Sequence, residues 1–233
     1  PELSLSRPAS HCPACGHTLK WHELIPVLSW LMLKGRCSAC GAPIGVRYPF
    51  VELATAALFM AMAWRWGPDP LALLWSAWGA TLLALALIDW DTLLLPDDLT
   101  LPLVWAGLAA AALGWTISPK EAIAGAVWGW GSLWVVATVF RWITGKEGMG
   151  GGDFKLLAAL GAWLGPVALV AVVLVASLMG ALVGLVMKAQ GALREGRYVP
   201  FGPFLAGGGL LVALVGEHTL WAGWSWWLGW AMA

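Results

Sequence analysis

The segment GMGGGDFKLLAALGAWLG, residues 148–165, places one aspartate behind a run of glycines at the start of an apolar stretch. Burying an unpaired carboxylate is costly, and an ionisable residue at membrane depth usually serves a function. Glycines at 148 and 150–152 let a backbone bend at the start of a helix, which would leave a water-filled notch beside the carboxylate. We therefore take Asp153 as a candidate functional residue.

The composition of the chain is that of a membrane protein. Of its 233 residues, 60% are hydrophobic and only 11% are charged, with 19 tryptophans and a formal net charge of zero. A soluble domain has about 25% charged residues, and a nucleic-acid-binding domain is usually basic. We therefore expect an all-α polytopic membrane helix bundle surrounded by lipid, with no nucleic-acid partner.

Apolar runs along the chain predict about seven membrane spans. Several of the runs approach the ~20 residues that a helix needs to cross the hydrocarbon core. One short run leads into the next through Gly165-Pro166, which suggests a half-length, tilted or re-entrant helix. The tail 219–233 is also short and rich in tryptophan, as in an interfacial aromatic belt. The seven runs lie at residues 49–66, 69–88, 99–115, 121–143, 154–165, 166–187 and 200–216.

The distribution of basic residues predicts the orientation. If the N-terminal region is cytoplasmic, every one of the 13 lysines and arginines lies inside except Arg65 and Lys120. Such a bias is typical of cytoplasmic segments. The same orientation puts Asp89 and Asp153 on one membrane face. No cleavable signal peptide is recognisable, and a chain that opens on Pro1 rather than Met indicates a processed or trimmed N-terminus.

All four cysteines lie in a polar region before the first apolar run, in HCPACGHTL and GRCSACGAPIGVRYP. Two C-x2-C pairs offer four thiolates to a tetrahedral Zn²⁺, and Gly16 and Gly41 permit a tight turn after each pair. We therefore divide the chain into a cytoplasmic zinc-binding region, residues 1–48, and a membrane domain, residues 49–233. The predicted ligands are Cys12, Cys15, Cys37 and Cys40.

Two disulfides, or four reduced thiols without metal, are the alternatives to zinc. Disulfides need an oxidising compartment, whereas the charge distribution places this region in the cytoplasm. His11, His17 and His22 could replace a ligand, but the four cysteines complete the set. Between the pairs, in WHELIPVLSWLMLKG (21–35), we expect a short strand or irregular ribbon packed on the metal. So small a unit has too little core to hold itself, which makes the zinc structural.

A second group of acids lies in ALIDWDTLLLPDDLTLPLVW, residues 86–105. Asp91 and Asp98 are typical of the solvated interface at the end of a span. Asp89 directly follows an unbroken apolar run, at a depth where it can face a cavity in the bundle. Asp97 follows a proline and could cap the next helix as well as serve a site.

Two carboxylates from different segments on one membrane face suit three chemistries. A pair that shares a proton can activate water for peptide hydrolysis, a pair can bind a divalent cation, and a carboxylate beside a glycine-broken helix can carry protons or Na⁺ in a transporter. Spacing does not choose among them. Transporter folds usually show internal repeats, and no repeat or second glycine-interrupted acidic segment is recognisable here.

Four blocks together resemble the type 4 prepilin peptidases, which are bifunctional leader peptidases and N-methyltransferases. The resemblance runs from about residue 8 to 210, in the order of the family. The blocks are HCPACGHTLKWHELIPVLSWLMLKGRCSACGAPIGVRYPFVE, IDWDTLLLPDDLTLPL, GGGDFKLLAALGAWLG and VPFGPFLAGG. The family belongs to the GxGD intramembrane aspartyl proteases, and the GxGD motif matches residues 150–153. The resemblance implies that Asp89 and Asp153 are the catalytic pair.

The resemblance also implies the substrates and their location. These are prepilins and pseudopilins, cut behind a short basic leader at the cytoplasmic face of the bacterial inner membrane. It implies methylation of the new N-terminal amine with S-adenosylmethionine, associated with the cytoplasmic region, where Gly35 matches a family glycine and Glu52 a family acid. Asp97 and Lys155 are further candidates near the aspartates, and Lys155 could bias the charge on Asp153. Family members normally begin with one more membrane helix than this chain, so the helix count could differ.

Overall fold

The computed structural model of the chain describes residues 9–146, 148–191 and 199–216. These residues form a 3₁₀ helix, Trp21–Leu24, and eight α-helices, with isolated β-bridges as the only extended pairing in the described ranges. The α-helices are α1 (Leu28–Met32), α2 (Arg47–Trp66), α3 (Pro70–Thr92), α4 (Asp97–Ala112), α5 (Pro119–Thr144), α6 (Gly151–Leu164), α7 (Pro166–Ala189) and α8 (Gly202–Val215). The chain is all-α, as the sequence predicts.

The chain divides into two compact units, Pro1–Ala61 and Met62–Ala233. The division falls inside α2, whereas residue 48, the boundary set from composition, lies at the start of that helix.

The first unit contains two similar tight turns. In one, the N–H of Gly16 donates to the carbonyl of Cys12 at 2.9 Å, and in the other the N–H of Gly41 donates to the carbonyl of Cys37 at 2.9 Å. Both glycines have φ of +71°, in the left-handed region that residues with a side chain rarely adopt. The two glycines therefore allow the turns that the cysteine spacing requires.

The segment between the two turns is helical, so the expectation of a strand or irregular ribbon there is wrong. The 3₁₀ helix begins after Lys20, whose N–H donates to the Glu23 carboxylate at 2.7 Å. The N–H of Val27, the residue that precedes α1, also donates to a carboxylate, that of Glu52, at 2.7 Å. A glutamate thus binds the N–H of the residue before each helix, which the apolar pattern does not reveal.

The second unit is a helix bundle built around α6. Every residue from Leu156 to Trp163 is buried, and α6 contacts α4, α5, α7 and α8. A helix that is apolar on all sides is stable only when other helices cover it. Its 14 residues extend for about 21 Å, which is shorter than the ~30 Å of a hydrocarbon core. The predicted half-length helix is confirmed, and it ends at Gly165, where φ is +84°.

Glycines bring α5 and α6 together at unusually short range. A Cβ added to Gly125 would lie 2.1 Å from the carbonyl oxygen of Gly161, and one added to Gly129 would lie 2.5 Å from that of Leu157. Small residues at a crossing allow two helix backbones to approach this closely.

Each of the seven predicted apolar runs forms one helix, from α2 to α8. Three of the described helices, α3, α5 and α7, are long and apolar enough to cross a membrane by length and composition. Among the others, α4 and α8 have 16 and 14 residues, so they are shorter than the spans expected of them, whereas α6, with 14 residues, is the short helix that the sequence predicts. The tail 219–233 lies outside the described residues.

Tryptophans pack one end of this bundle. Trp75 contacts Trp78 and Trp163 edge-on, with ring centroids 5.2 and 5.4 Å apart. The Trp163 indole N–H donates to the carbonyl of Leu103 at 2.9 Å, which joins α6 to α4. Asp153 and Asp89 lie towards the opposite ends of α6 and α3, so the acids and the tryptophans occupy different ends of the bundle.

Candidate active site

Asp89 lies in the last turn of α3 and is only 5% exposed. Its Oδ2 accepts a hydrogen bond of 3.0 Å from the backbone N–H of Gly202, the first residue of α8. An aspartate at the end of an apolar helix is therefore buried and held in place from a segment 113 residues away in sequence.

Asp153 lies in the first turn of α6 and is 9% exposed. Its carboxyl group interacts electrostatically with that of Asp89. The structure thus brings together the two acids that the sequence singles out, and it buries both. In the described part of the chain, the only other buried polar or charged residues are Ser76 and Thr100.

Leu95, in the loop between α3 and α4, packs against the start of α6, which carries Asp153, and the start of α8, which binds Asp89. A Cβ added to Gly152 would lie 2.7 Å from the Cβ of Leu95, and one added to Gly202 would lie 3.2 Å from its Cδ1. Glycine at position 152 therefore lets the start of α6 approach this loop closely. The same added Cβ at Gly202 would lie 2.5 Å from Oδ2 of Asp89, so any side chain there would push on the carboxylate.

The remaining glycines of the run have other surroundings. Gly148 faces the ring of Phe140, whereas added Cβ atoms at Gly150 and Gly151 would meet nothing within 4 Å. These two border a cavity of about 260 Å³, lined also by residues of α5 that include Arg141. Asp153 is not among its lining residues, so this cavity differs from the notch expected beside the carboxylate.

The other acids near this end are exposed. Asp91 and Asp98 are exposed, as the interpretation of a solvated span end predicts. Asp97 is the first residue of α4, which has Pro96 at its N-cap position and no side-chain cap, so the expected capping role is wrong. Instead, the Asp97 carboxylate accepts a hydrogen bond of 2.6 Å from Nζ of Lys155. Lys155 is therefore paired with Asp97 rather than directed at Asp153.

The four cysteines form a second candidate site, in the first unit. Their Sγ atoms all lie within 4.8 Å of one another, and those of Cys12 and Cys40 are 3.9 Å apart. Four sulfurs at the corners of a tetrahedron, each about 2.3 Å from Zn²⁺, are about 3.8 Å apart. The four thiols are free, and the donor set fits zinc. Among the described residues no histidine belongs to the cluster, since His17 contacts Glu23 and His11 contacts the carbonyl of Ala9.

Glu23 connects the two cysteine turns, and the sequence did not single it out. Its carboxylate accepts hydrogen bonds from the N–H of Lys20 and the hydroxyl of Ser38, and it contacts Nε2 of His17 at 3.3 Å. These contacts, led by the one from Lys20, lower the pKa of Glu23 to about 2. The side chain is therefore ionised at neutral pH, where it ties the 3₁₀ helix to the second cysteine pair. An acid three residues after a helix start was the available signal.

Gly35 and Glu52 also lie in the first unit. Gly35 has φ of +66°, and a Cβ added there would lie 2.9 Å from the indole ring of Trp30. The Trp30 N–H donates to the carbonyl of Ile44 at 3.1 Å. A cavity of about 640 Å³ is lined by Trp30 and by the carboxyl-bearing side chains of Glu23 and Glu52. Glu52 therefore lines a cavity large enough for a small-molecule ligand, and Gly35 packs against Trp30, another of its lining residues.

Gly202 is the residue of the aspartate site that sequence reasoning missed. It lies in VPFGPFLAGG, which contributed to the family resemblance but contains no ionisable side chain. Its contact with Asp89 uses a backbone N–H and leaves no room for a side chain, so composition does not reveal it. A glycine at the start of a helix, followed by Pro203, was the only signal.

Two family models match the chain. The bacterial peptidase A24 N-terminal domain matches residues 1–66, and the type IV leader peptidase family matches residues 76–185. A prepilin leader peptidase/N-methyltransferase of Aeromonas hydrophila is 48% identical over 224 residues, which cover 95% of this chain and 77% of the relative. The chain belongs to the type IV leader peptidase family.

Other members show how widely the likeness extends. The protein of the same description from Pseudomonas aeruginosa is 49% identical over 217 residues, covering 92% of this chain and 74% of the relative. That of Neisseria gonorrhoeae is 41% identical over 226 residues, covering 97% and 77%. No solved structure matches the chain.

The four cysteines and both buried aspartates lie within the residues matched by the family models, whereas Gly202 lies beyond them. Membership of this family does not support the alternative of a transporter.

Proposed function

We propose that this chain removes the leader from prepilin-type substrates with Asp89 and Asp153, and then methylates the amine that cleavage exposes. The single observation that carries the peptidase assignment is the burial of two interacting carboxyl groups from α3 and α6 at one end of the bundle. The described relatives are leader peptidases and N-methyltransferases by name, which supports both activities.

The chemistry needs one ionised and one protonated carboxyl group. The ionised group takes a proton from water while the water oxygen attacks the scissile carbonyl carbon, and the protonated group donates its proton to the carbonyl oxygen. The resulting diol then collapses. The group that took a proton gives it to the leaving nitrogen as the C–N bond breaks, and the other group recovers a proton from a diol hydroxyl. Both carboxyl groups end in their starting states, and no metal is consumed or required.

The surroundings of the pair suit a substrate with an apolar helix behind its cleavage site. The acids are placed at the end of apolar helices, so a substrate helix in the lipid can bring its own end to the same depth. We propose prepilins and pseudopilins as substrates and the cytoplasmic face of the bacterial inner membrane as the place of cleavage. Besides the charge bias of the sequence, the fit of four free thiols to zinc favours a reducing compartment for the first unit.

For methylation, we propose that S-adenosylmethionine binds in the 640 Å³ cavity of the first unit. The volume lies within the range of small-molecule sites, and Trp30 offers an aromatic surface beside two carboxylates. Negative charge suits a sulfonium cation, whose methyl group is the one transferred. Glu23 and Glu52 would attract the cofactor electrostatically, and Gly35 would leave room for the Trp30 ring that packs against it. Zinc at the four cysteines would hold the walls of this cavity together, since Cys12 and Cys37 also line it.

Purified protein incubated with a prepilin in detergent or lipid tests the peptidase assignment. We expect a product shortened by the leader and, after addition of S-adenosylmethionine, a further mass increase of one methyl group on the new N-terminus. An intact substrate would contradict the assignment.

The binding site for the cofactor can be tested separately by titration with S-adenosylmethionine. We expect weaker binding by Trp30→Ala and unchanged binding by Trp21→Ala, because Trp21 is 79% exposed and does not line the cavity. Equal affinities for the two variants would exclude the cavity as the site.

A further inference from the structure

The two carboxyl groups of the aspartate site differ in their hydrogen bonding, although their burial is similar. Asp89 accepts the Gly202 N–H at 3.0 Å. In the described part of the chain no hydrogen-bond donor reaches the side chain of Asp153, whose one interaction is with Asp89. A hydrogen bond from an N–H favours the ionised form of the carboxyl group that accepts it. This hydrogen bond therefore makes the two aspartates unequal in their tendency to ionise. Burial and mutual repulsion alone would affect both carboxyl groups alike.

We propose that Gly202 is a positioning residue that makes Asp89 the ionised, water-activating member of the pair and leaves Asp153 as the proton donor. The inference rests on the proposed two-aspartate mechanism and assigns its roles. Asp89 then takes the proton from water as the water oxygen attacks the carbonyl carbon, and Asp153 gives its proton to the carbonyl oxygen. When the C–N bond breaks, Asp89 gives its proton to the leaving nitrogen and Asp153 recovers one from the diol.

Helix termini act on both groups and do not reverse the assignment. Asp153 lies in the first turn of α6, and the N-terminus of a helix favours negative charge. Asp89 lies in the last turn of α3, and the C-terminus of a helix disfavours negative charge. The start of α8, however, meets the Asp89 carboxylate at hydrogen-bond distance and supplies both a positive helix terminus and a directed donor. A directed, charge-assisted hydrogen bond usually outweighs the field of a helix end.

No other charged group of the packed helices is placed to replace this effect. Helix α8 contains no ionisable residue, so its contribution is the backbone alone. Asp97 and Lys155 bind each other across α4 and α6. The remaining charged side chains towards this end of α3, α4, α5 and α7 are Asp91, Asp98, Arg141 and Lys188.

The absence of a side chain at position 202 is also needed for the Asp89 carboxylate to reach the N–H. An added Cβ would lie 2.5 Å from Oδ2 and 3.1 Å from Cγ of Asp89, so even alanine would displace the carboxylate from the N–H that holds it. Gly207, on the same helix, offers a matched control, because a Cβ added there meets only the end of Met179, at 3.8 Å.

The test is the pH dependence of kcat/KM for prepilin cleavage by the wild type, Gly202→Ala and Gly207→Ala. The acidic limb reports the group that must be ionised, and the basic limb the group that must be protonated. We expect Gly202→Ala to move the acidic limb upwards by about one pH unit and to leave the basic limb in place. Gly207→Ala should move neither limb.

A movement of the basic limb alone in Gly202→Ala would show that Asp89 is the protonated partner, and unmoved limbs would show that Gly202 does not set the roles. Either result overturns the proposal. If the alanine variant is inactive or unfolded, replacing the Gly202 amide with a backbone ester removes the N–H without adding an atom that clashes, and the same limb should move. Loss of cleavage in Asp89→Asn and Asp153→Asn tests the two-aspartate mechanism independently of these profiles.

Discussion

The unit Pro1–Ala61 gathers four sulfur atoms within 4.8 Å, whereas the unit Met62–Ala233 brings helix backbones together at glycines. In the first, two tight turns each present a pair of thiols, and a single ion can hold the pairs together. In the second, a buried central helix is contacted on several sides, and the site forms where three helices and a loop meet. The fold of the first unit thus depends on a few ligand atoms, and the fold of the second depends on many close contacts between helices.

This difference also separates the chemistry. The first unit has a cavity lined by carboxylates and an indole ring, which suits a charged small molecule. The second has two buried acids beside apolar helices, which suits a peptide bond delivered from the membrane. Changes in one unit should therefore affect mainly one of the two activities.

Removing the metal should have the largest effect on the first unit. We expect one Zn²⁺ per chain in the purified protein, and we expect chelation or Cys37→Ser to unfold the region around the cysteines, because zinc binding to such a site contributes about 10–16 kcal/mol. Methylation should be lost and cleavage should fall less. Metal analysis and mass spectrometry of the processed pilin measure these effects. A zinc content near zero in the wild type, or four freely reactive thiols in the native protein, would refute a structural zinc site.

In the second unit, Gly125→Ala should cause a large loss of folding stability. The added Cβ would lie 2.1 Å from a backbone oxygen, which no side-chain rotation can relieve, so α5 and α6 must separate. We expect a loss of roughly 3 kcal/mol in the free energy of unfolding. Thermal unfolding in detergent measures it.

Gly131→Ala is the matched control on the same helix, since a Cβ there meets nothing within 4 Å. It should be neutral or stabilise the helix by up to ~1 kcal/mol. Equal unfolding temperatures for the two variants would show that the close crossing of α5 and α6 does not hold the bundle together.

Substitutions of two glycines in the first unit, Gly35→Ala and Gly41→Ala, should have smaller effects on stability than the changes above, and these two effects should differ from each other. The two glycines have φ of +66° and +71°, so both substitutions carry the left-handed cost of about 1–2 kcal/mol. Only Gly35→Ala also pushes on Trp30, which a Cβ would approach to 2.9 Å. We expect Gly35→Ala to depress methylation more than Gly41→Ala does and to spare cleavage, as read by the masses of the products. Equal loss of both activities in Gly35→Ala would mean that the substitution merely unfolds the region.

The smallest effect is expected for the pair between Asp97 and Lys155. Its side chains are 55% and 33% exposed, and such pairs contribute about 0–1 kcal/mol and weaken with salt. Lys155→Gln should therefore change unfolding and cleavage only slightly, with Asp98→Asn as a control for the loss of one charge. A shifted pH profile in Lys155→Gln alone would restore the earlier expectation that this lysine acts on Asp153.

The cysteine site was predictable because its ligands lie in two short motifs. Two C-x2-C pairs, each followed by glycine, specify both the donors and the turns that present them. The aspartates were predictable as individuals, from an acid after an apolar run and an acid behind glycines. Their approach to each other depends on how α3, α6 and α8 pack, which spacing in the sequence does not encode.

The parts that sequence patterns missed depend on backbone groups and on partners distant in sequence. Gly202 contacts Asp89 through its backbone N–H, and the Asp97 side chain binds Lys155 rather than capping its own helix. The helices between the cysteine pairs were not predicted because Glu23 and Glu52, which bind the N–H groups of the residues before them, are not part of the apolar pattern. Such contacts follow from the folded positions of the elements and not from local periodicity.

The rate of prepilin cleavage by Asp89→Asn and Asp153→Asn, each compared with Asp91→Asn, tests the two-aspartate site most directly. Asparagine keeps the size of the side chain but can neither accept the proton of water as a carboxylate nor donate one as an acid. Each of the first two variants should lose cleavage by a factor of at least about 10³ while remaining folded and zinc-loaded. Asp91→Asn, at an exposed position, should stay within about threefold of the wild type. Near-normal turnover by either Asp89→Asn or Asp153→Asn would contradict the mechanism.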